Sequence, residues 1–159
     1  MLKRFAVSYE INKKQTTETP FLYLQREVTR ETMSDALGEM FGAVFQHAAT
    51  HGVALAGPPV ARYASMGPNS FTIDAGMPIA AACETADDFH VGTLCGTTVA
   101  STIHKGPYTR LHEAHSAIEH WLEDTGEQLV GAPWEVYDND PGEVSDPSEW
   151  ITEVIWPLE

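Results

Sequence analysis

Leu37, Met40, Phe41, Val44, Phe45 and Ala48 recur at i, i+3, i+4, i+7, i+8 and i+11, the spacing of one apolar helical face. Ser34 and Asp35 can satisfy the free N–H groups of its first turn, and Gly52 follows as a stop. Ahead of this helix, Phe21-Leu-Tyr-Leu-Gln-Arg-Glu-Val28 is a short β-rich run. Behind it, Val60–Ser65 and Phe71–Ile73 read as strands joined through the turn former Gly67-Pro68-Asn69. The unit is β-α-β-β, and the pattern then returns. Val99–His104 reads as a strand, and Thr109 opens a helix whose face carries Leu111, Ala114, Ile118 and Leu122 before Gly126 closes it. Trp134–Tyr137 and Trp150–Ile155 are the closing strands, separated by the polar turn Asp138–Pro147. A further strand is expected around Phe5–Ile11.

The recurrence extends to residue identity. Gly52-Val-Ala-Leu-Ala-Gly-Pro-Pro-Val-Ala-Arg-Tyr63 lies over Gly126-Glu-Gln-Leu-Val-Gly-Ala-Pro-Trp-Glu-Val-Tyr137 at a constant offset of 74. Gly52, Leu55, Gly57, Pro59 and Tyr63 then match Gly126, Leu129, Gly131, Pro133 and Tyr137, and Leu37 matches Leu111 upstream. After an insertion of five the offset is 79, and Phe71–Pro78 lies over Trp150–Pro157, with Asp74 on Glu153. The chain is a duplication, expected as a single domain over 1–159: a first repeat over about 1–79, a linker over about 80–93 and a second repeat over about 94–159. One such unit is too small to seal a core alone. Two related by pseudo-symmetry would form an antiparallel sheet with helices on one face and a cleft along the axis.

Composition narrows the function. Of 159 residues, 9 are Lys or Arg and 23 are Asp or Glu, a net charge of −14, which would repel nucleic acid phosphates; direct nucleic acid binding is not expected. The same field favours cationic partners. The two cysteines, Cys83 and Cys95, form no CxxC pair, no apolar stretch is long enough to span a membrane, and Met1–Val7 has no apolar segment of a leader; a cytoplasmic address is expected. The first β-α-β-β half begins within the opening twenty or so residues, so a stand-alone module without a DNA-binding unit is expected.

Thr102-Ile-His-Lys-Gly-Pro-Tyr108, a helix, Gly131-Ala-Pro-Trp-Glu-Val-Tyr137 and Thr152-Glu-Val-Ile-Trp-Pro157 together resemble the GyrI-like, AraC-type effector-binding domain family. The resemblance covers nearly the whole chain and is clearest over residues 94–159. It implies an α+β fold of duplicated β-α-β-β (SHS2-like) units, an antiparallel sheet with two helices on one face and a central cleft. In multidrug-sensing relatives that cleft takes flat, amphipathic, often cationic compounds against an acidic floor residue and aromatic walls. Members occur as the C-terminal half of transcription activators, as stand-alone proteins and as a DNA gyrase inhibitor, and some hydrolyse electrophilic cyclopropanoid genotoxins. The floor glutamate carries over to Glu135 and the aromatic residue opening the last strand to Trp150.

Strand alternation tests that placement. Glu135 and Tyr137 share one face of their strand; Trp150 and Thr152 share one face of theirs, with Ile151, Glu153 and Ile155 opposite. Glu153 is therefore only a secondary candidate. The repeat partner of Glu135 is Ala61 and that of Tyr137 is Tyr63, so an acid stands on one side where a methyl leaves room on the other. Tyr63, Tyr137, Phe71, Trp150 and Tyr108 are the expected aromatic walls, against the plainer alternative that they are core, and Glu135 the expected counter-charge, against an exposed strand glutamate. Trp121 and Trp156 read as core or surface.

Three functions stay open on these residues: binding of a cationic amphipath for sensing or sequestration, hydrolysis in the same cleft with Glu135 as general base, and a gyrase-inhibitor-like protein contact. No cofactor or metal is expected. His112 and His115 stand at i, i+3 with Glu119 beyond, not at the i, i+4 spacing of HExxH, and read as a solvated helix face. Asp138-Asn-Asp-Pro-Gly starts like a calcium loop, but no acid closes it at the twelfth position.

Overall fold

The two β-α-β-β patterns fold as two half-sheets that join through their third elements. The computed structural model describes residues 9–139 and 144–159. In chain order it contains β1 (Asn12–Gln15), β2 (Thr19–Val28), α1 (Met33–His51), β3 (Val60–Met66), β4 (Phe71–Pro78), β5 (His90–Leu94), β6 (Thr98–Lys105), α2 (Leu111–Thr125), β7 (Trp134–Tyr137) and β8 (Ile151–Pro157). A 3₁₀ turn over Tyr108–Arg110 leads into α2, and another over Pro147–Glu149 leads into β8. The eight strands make one antiparallel, curled sheet in the order β1-β6-β8-β7-β3-β4-β2-β5.

The duplication is written into the hydrogen bonds. Tyr63 N donates to Pro133 O at 2.9 Å and its counterpart Tyr137 N donates to Pro59 O at 3.0 Å. Bridges Leu55–Ile79 and Leu129–Leu158 stand at matching places in the two halves. Both helices end on glycines in the left-handed region, Gly52 at φ 68° and Gly126 at φ 75°, whose N–H groups return to Ala48 O and Leu122 O. In the β3–β7 pairing Ala61 lies opposite Glu135, so the two repeat-equivalent residues face each other and the pseudo-twofold axis passes between them.

The helices cover one face of the sheet. α2 buries Leu111, Ala114, Ile118 and Leu122, as its periodicity predicts. α1 buries Ala36, Leu37, Met40, Val44 and Ala48, but Phe45, counted in its apolar face by spacing, is 58% exposed. The N-terminal cap is Thr32 rather than Ser34 or Asp35, and its hydroxyl is engaged with Thr29 N instead of the helix. On the opposite face Phe21, Val60, Leu94, Val99, Trp134 and Ile155 form a second cluster. Arg62 bonds Asp74 there at 3.0 Å and lies over the Phe21 and Tyr23 rings.

Two strands depart from the sequence reading. The strand expected around Phe5–Ile11 falls partly on residues 1–8, outside the described ones; Tyr9–Ile11 is not a strand, and the chain enters the sheet at β1. That segment, Asn-Lys-Lys-Gln, is an exposed, charged edge strand without an apolar pattern to reveal it. Residues 90–93, read as the end of the linker, belong with Leu94 to β5, which pairs with β2. Each edge strand is donated across the axis, β1 to the second half and β5 to the first.

Gly76 sits where β4 is held between β2 and β3: a Cβ there would lie 1.9 Å from Leu22 O and 2.6 Å from Tyr23 Cα. Gly76→Ala is expected to destabilise by about 3 kcal/mol or more, lowering the thermal midpoint by roughly 6–12 °C. Circular dichroism melting checks this against Gly38→Ala, whose methyl meets nothing within 4 Å.

Candidate functional site

Glu135 is 1% exposed, on the helix-side face of β7 at the pseudo-twofold axis. A carboxylate removed from water needs partners. The duplicated tyrosines supply two: Tyr137 donates to Oε1 at 2.5 Å and Tyr63 donates to Oε2 at 2.9 Å. The third is His115 of α2, whose Nε2 lies 2.7 Å from Oε2. The indole N–H of Trp156, a pure donor, reaches Nδ1 of the same imidazole at 2.9 Å, so Nδ1 carries the lone pair and the proton sits on Nε2, donating to Glu135. A carboxylate offers about four acceptor positions. Three are filled, all by neutral donors. Among the described residues no Lys or Arg pairs with Glu135.

Burial raises the pKa of both phenols well above the ordinary tyrosine value, and the Glu135 charge beside them raises it further. Both therefore stay protonated as donors.

Beside this centre lies a cavity of about 570 Å³, within the range of small-molecule sites. Tyr137 belongs to both, its hydroxyl on Glu135 and its ring on the cavity. One wall is α1, through Leu37, Gly38, Phe41, Gly42 and Phe45; the facing wall is Tyr108 and Trp150. The rings are continuous: Phe41 to Tyr137 at 5.6 Å, Tyr137 to Tyr108 at 5.3 Å, Tyr108 to Trp150 at 4.7 Å. Ser34 and Asn139 add polar groups, and among the described residues none that line it is charged. Trp150 is fixed by donation of its indole N–H to Val144 O at 2.7 Å. Asn139 braces the same corner, donating to Glu149 O and accepting from Ile151 N. Tyr108 is positioned by His104, whose Nε2 donates to Pro107 O at 3.1 Å while its Nδ1 accepts from Tyr9.

The expected residues thus separate. Tyr137, Tyr108 and Trp150 line the cavity; Tyr63 holds Glu135 from the other side, and Phe71 packs edge-on against Tyr63 away from the cavity. Glu153 points to the opposite face of the sheet and pairs with Lys14, as alternation requires. His115 corrects the reading of its helix face as solvated, because it bonds the buried acid. Phe41, Phe45, Gly38, Gly42, His115 and Trp156 were not expected in the site. Two glycines inside a helix that also carries more apolar residues than it buries were the available signal for the first four. Among the described residues no group of three or more His, Cys, Asp or Glu gathers to hold a metal ion. Cys83 and Cys95 are exposed, and residues 140–143 of the polar turn lie outside the described ones.

The model of the GyrI-like small molecule binding domain matches residues 9–159. No curated protein matches the chain. Among solved structures, the EcmrR–DNA complex aligns at TM-score 0.82 and 22% identity over 95% of this chain, which spans 57% of that one. The isolated EcmrR C-terminal domain aligns at 0.80 and 22%, covering 96% of this chain and 99% of that chain. SAV2435 bound to tetraphenylphosphonium aligns at 0.62 and 10%, over 94% of each chain. A hydrolase from Listeria innocua aligns at 0.65 and 11%, over 94% of this chain and 92% of its own. At such identities the likeness is one of fold.

Two outcomes follow from the geometry. Unfolding lets Tyr63 and Tyr137 ionise near pH 10 while the folded state holds them neutral, so their contribution is intact below pH 10 and lost as pH rises beyond it. Stability is expected to fall by up to about 1.4 kcal/mol per pH unit for each phenol, read by urea titration between about pH 9 and 11. Gly42→Leu puts a side chain into space that is open in the cavity. It is expected to preserve or raise the thermal midpoint, since Gly costs a helix about 1 kcal/mol, while abolishing ligand binding in equilibrium dialysis.

Proposed function

The chain belongs to the GyrI-like small-molecule binding family, and we propose that it binds aromatic, amphipathic monocations in the α1 cavity, as a sensing or sequestering module. The observation that carries this reading is the Glu135 carboxylate, buried on the axis and joined through the Tyr137 hydroxyl to a residue that lines an aromatic cavity. A cation stacked on that ring would lie on the order of 7 Å from the carboxylate, an attraction of about 2 kcal/mol at an effective dielectric of 20. Stacking on Trp150, Tyr108 or Phe41 adds about 0.5–2 kcal/mol per ring. The largely apolar and aromatic lining among the described residues suits the rest of a lipophilic molecule.

A hydrolase would ask Glu135 to take a proton from water, whereas three of its acceptor positions are already occupied. Binding is the reading this arrangement supports. The likeness to EcmrR, seen in complex with DNA, is compatible with reporting ligand to a regulatory partner, and the likeness to SAV2435 agrees with the proposed ligand class.

Equilibrium dialysis with tetraphenylphosphonium and with neutral triphenylphosphine oxide tests this. Glu135→Gln is expected to weaken cation binding by about 10- to 50-fold, equivalent to about 1.4–2.3 kcal/mol, with little effect on the neutral compound. Equal cation binding by wild type and variant would remove Glu135 from recognition.

A further inference from the structure

His115 and Trp156 stand where the repeat has Phe41 and Met77, at offsets of 74 and 79. In the first half those two residues line the cavity. In the second half the same places carry a chain of hydrogen bonds, Trp156 Nε1–H to His115 Nδ1 at 2.9 Å and His115 Nε2–H to Glu135 Oε2 at 2.7 Å. Direction along this chain is forced, because an indole nitrogen only donates. A proton added at Nδ1 would face the indole N–H head to head, and a partly buried indole N–H would lose its acceptor.

That matters for the charge of the site. Were His115 to become cationic, it would form an ion pair with Glu135 and the centre would be neutral; held neutral, it donates a hydrogen bond and leaves the full charge in place. We infer that Trp156 sets the charge selectivity of the ligand site, holding His115 in its neutral Nε2–H form so that Glu135 presents a net negative charge to a cation. This rests on the binding function proposed above. Trp156 is a positioning residue: it acts through His115 and is not among the residues lining the cavity.

The groups around the imidazole are consistent with that role. Glu135 faces it from β7, the Tyr63 ring from β3 at 5.7 Å, and Trp156 from β8 at 5.9 Å. On α2 itself His112 and Glu119 lie one turn to either side, with His112 bonded to Thr109 O. His104 of β6, on the same side of the sheet, is engaged by Tyr9 and Pro107 O. The one acid in direct contact would draw a proton onto the imidazole, and the indole opposes it.

The test uses the 159-residue chain and tetraphenylphosphonium, whose own charge does not vary with pH. Nitrogen NMR of the histidine side chains is expected to show wild-type His115 neutral, with its proton on Nε2, from about pH 8 to 5.5, across the range where an unrestrained imidazole titrates. Over that range the dialysis affinity of wild type should change by about twofold or less, whereas Trp156→Phe should lose about tenfold toward the acid end, about 1.4 kcal/mol. The double variant Trp156→Phe/His115→Gln, which keeps an N–H donor but cannot take up a proton, should restore a flat profile. A structural role for Trp156 would lower affinity equally at every pH and would not be rescued by Gln at 115; that result overturns the inference, as does a wild-type His115 that titrates. Absence of binding at every pH would instead sink the proposed function, and the nitrogen spectra would then decide the His115 state alone.

Discussion

A single carboxylate placed on a pseudo-twofold axis is the constraint around which the structure is organised. Burying an ion costs several kcal/mol unless its oxygens are satisfied. A carboxylate has two equivalent oxygens, and duplication offers two equivalent tyrosines. Tyr63 and Tyr137 come from matching places on β3 and β7 and reach opposite oxygens of Glu135. The fold thus provides a symmetric clamp for a group that only one half contributes.

The remaining asymmetry turns a closed core into a site. On the first half Gly38, Phe41, Gly42 and Met77 leave an apolar cavity, bounded across the axis by Tyr108 and Trp150. Their counterparts on the second half are His112, His115, Ser116 and Trp156, of which His115 and Trp156 extend the polar network from Glu135. One copy of the repeat therefore provides the volume and the other stabilises the charge. Identical halves could not do both, since a cavity on each side would leave Glu135 without the His115 hydrogen bond and the Trp156 contact that orients it.

Much of this was legible in the residues. The repeat, both helices, six of the eight strands and the face carrying Glu135 and Tyr137 follow from periodicity and from the constant offset. Edge strands were not legible, because their pairing is supplied by the other half of the chain and their own side chains carry little pattern: β1 is wholly polar and β5 is five residues with a glycine at its middle. His115 read as solvated because α2 is acidic and its neighbours His112 and Glu113 are polar; burial at one position of a helix depends on what lies across from it, here Glu135, Tyr63 and Trp156. Phe71 was expected in the cavity because it matches Trp150 in the repeat. Yet the cavity lies off the axis, and symmetry-related positions cannot both reach it.

The exchange of edge strands constrains how the chain acquires its shape. β1 waits for β6, whose partners Ser101 to Thr98 come more than eighty residues later, and β2 gains its second neighbour only when β5 has been made. Emerging from a ribosome, the first half holds a sheet open at both sides, and such pairing between distant segments is slow to form. Folding is thus a late, collective event, and a chain interrupted midway would expose the very strand edges that the finished molecule covers.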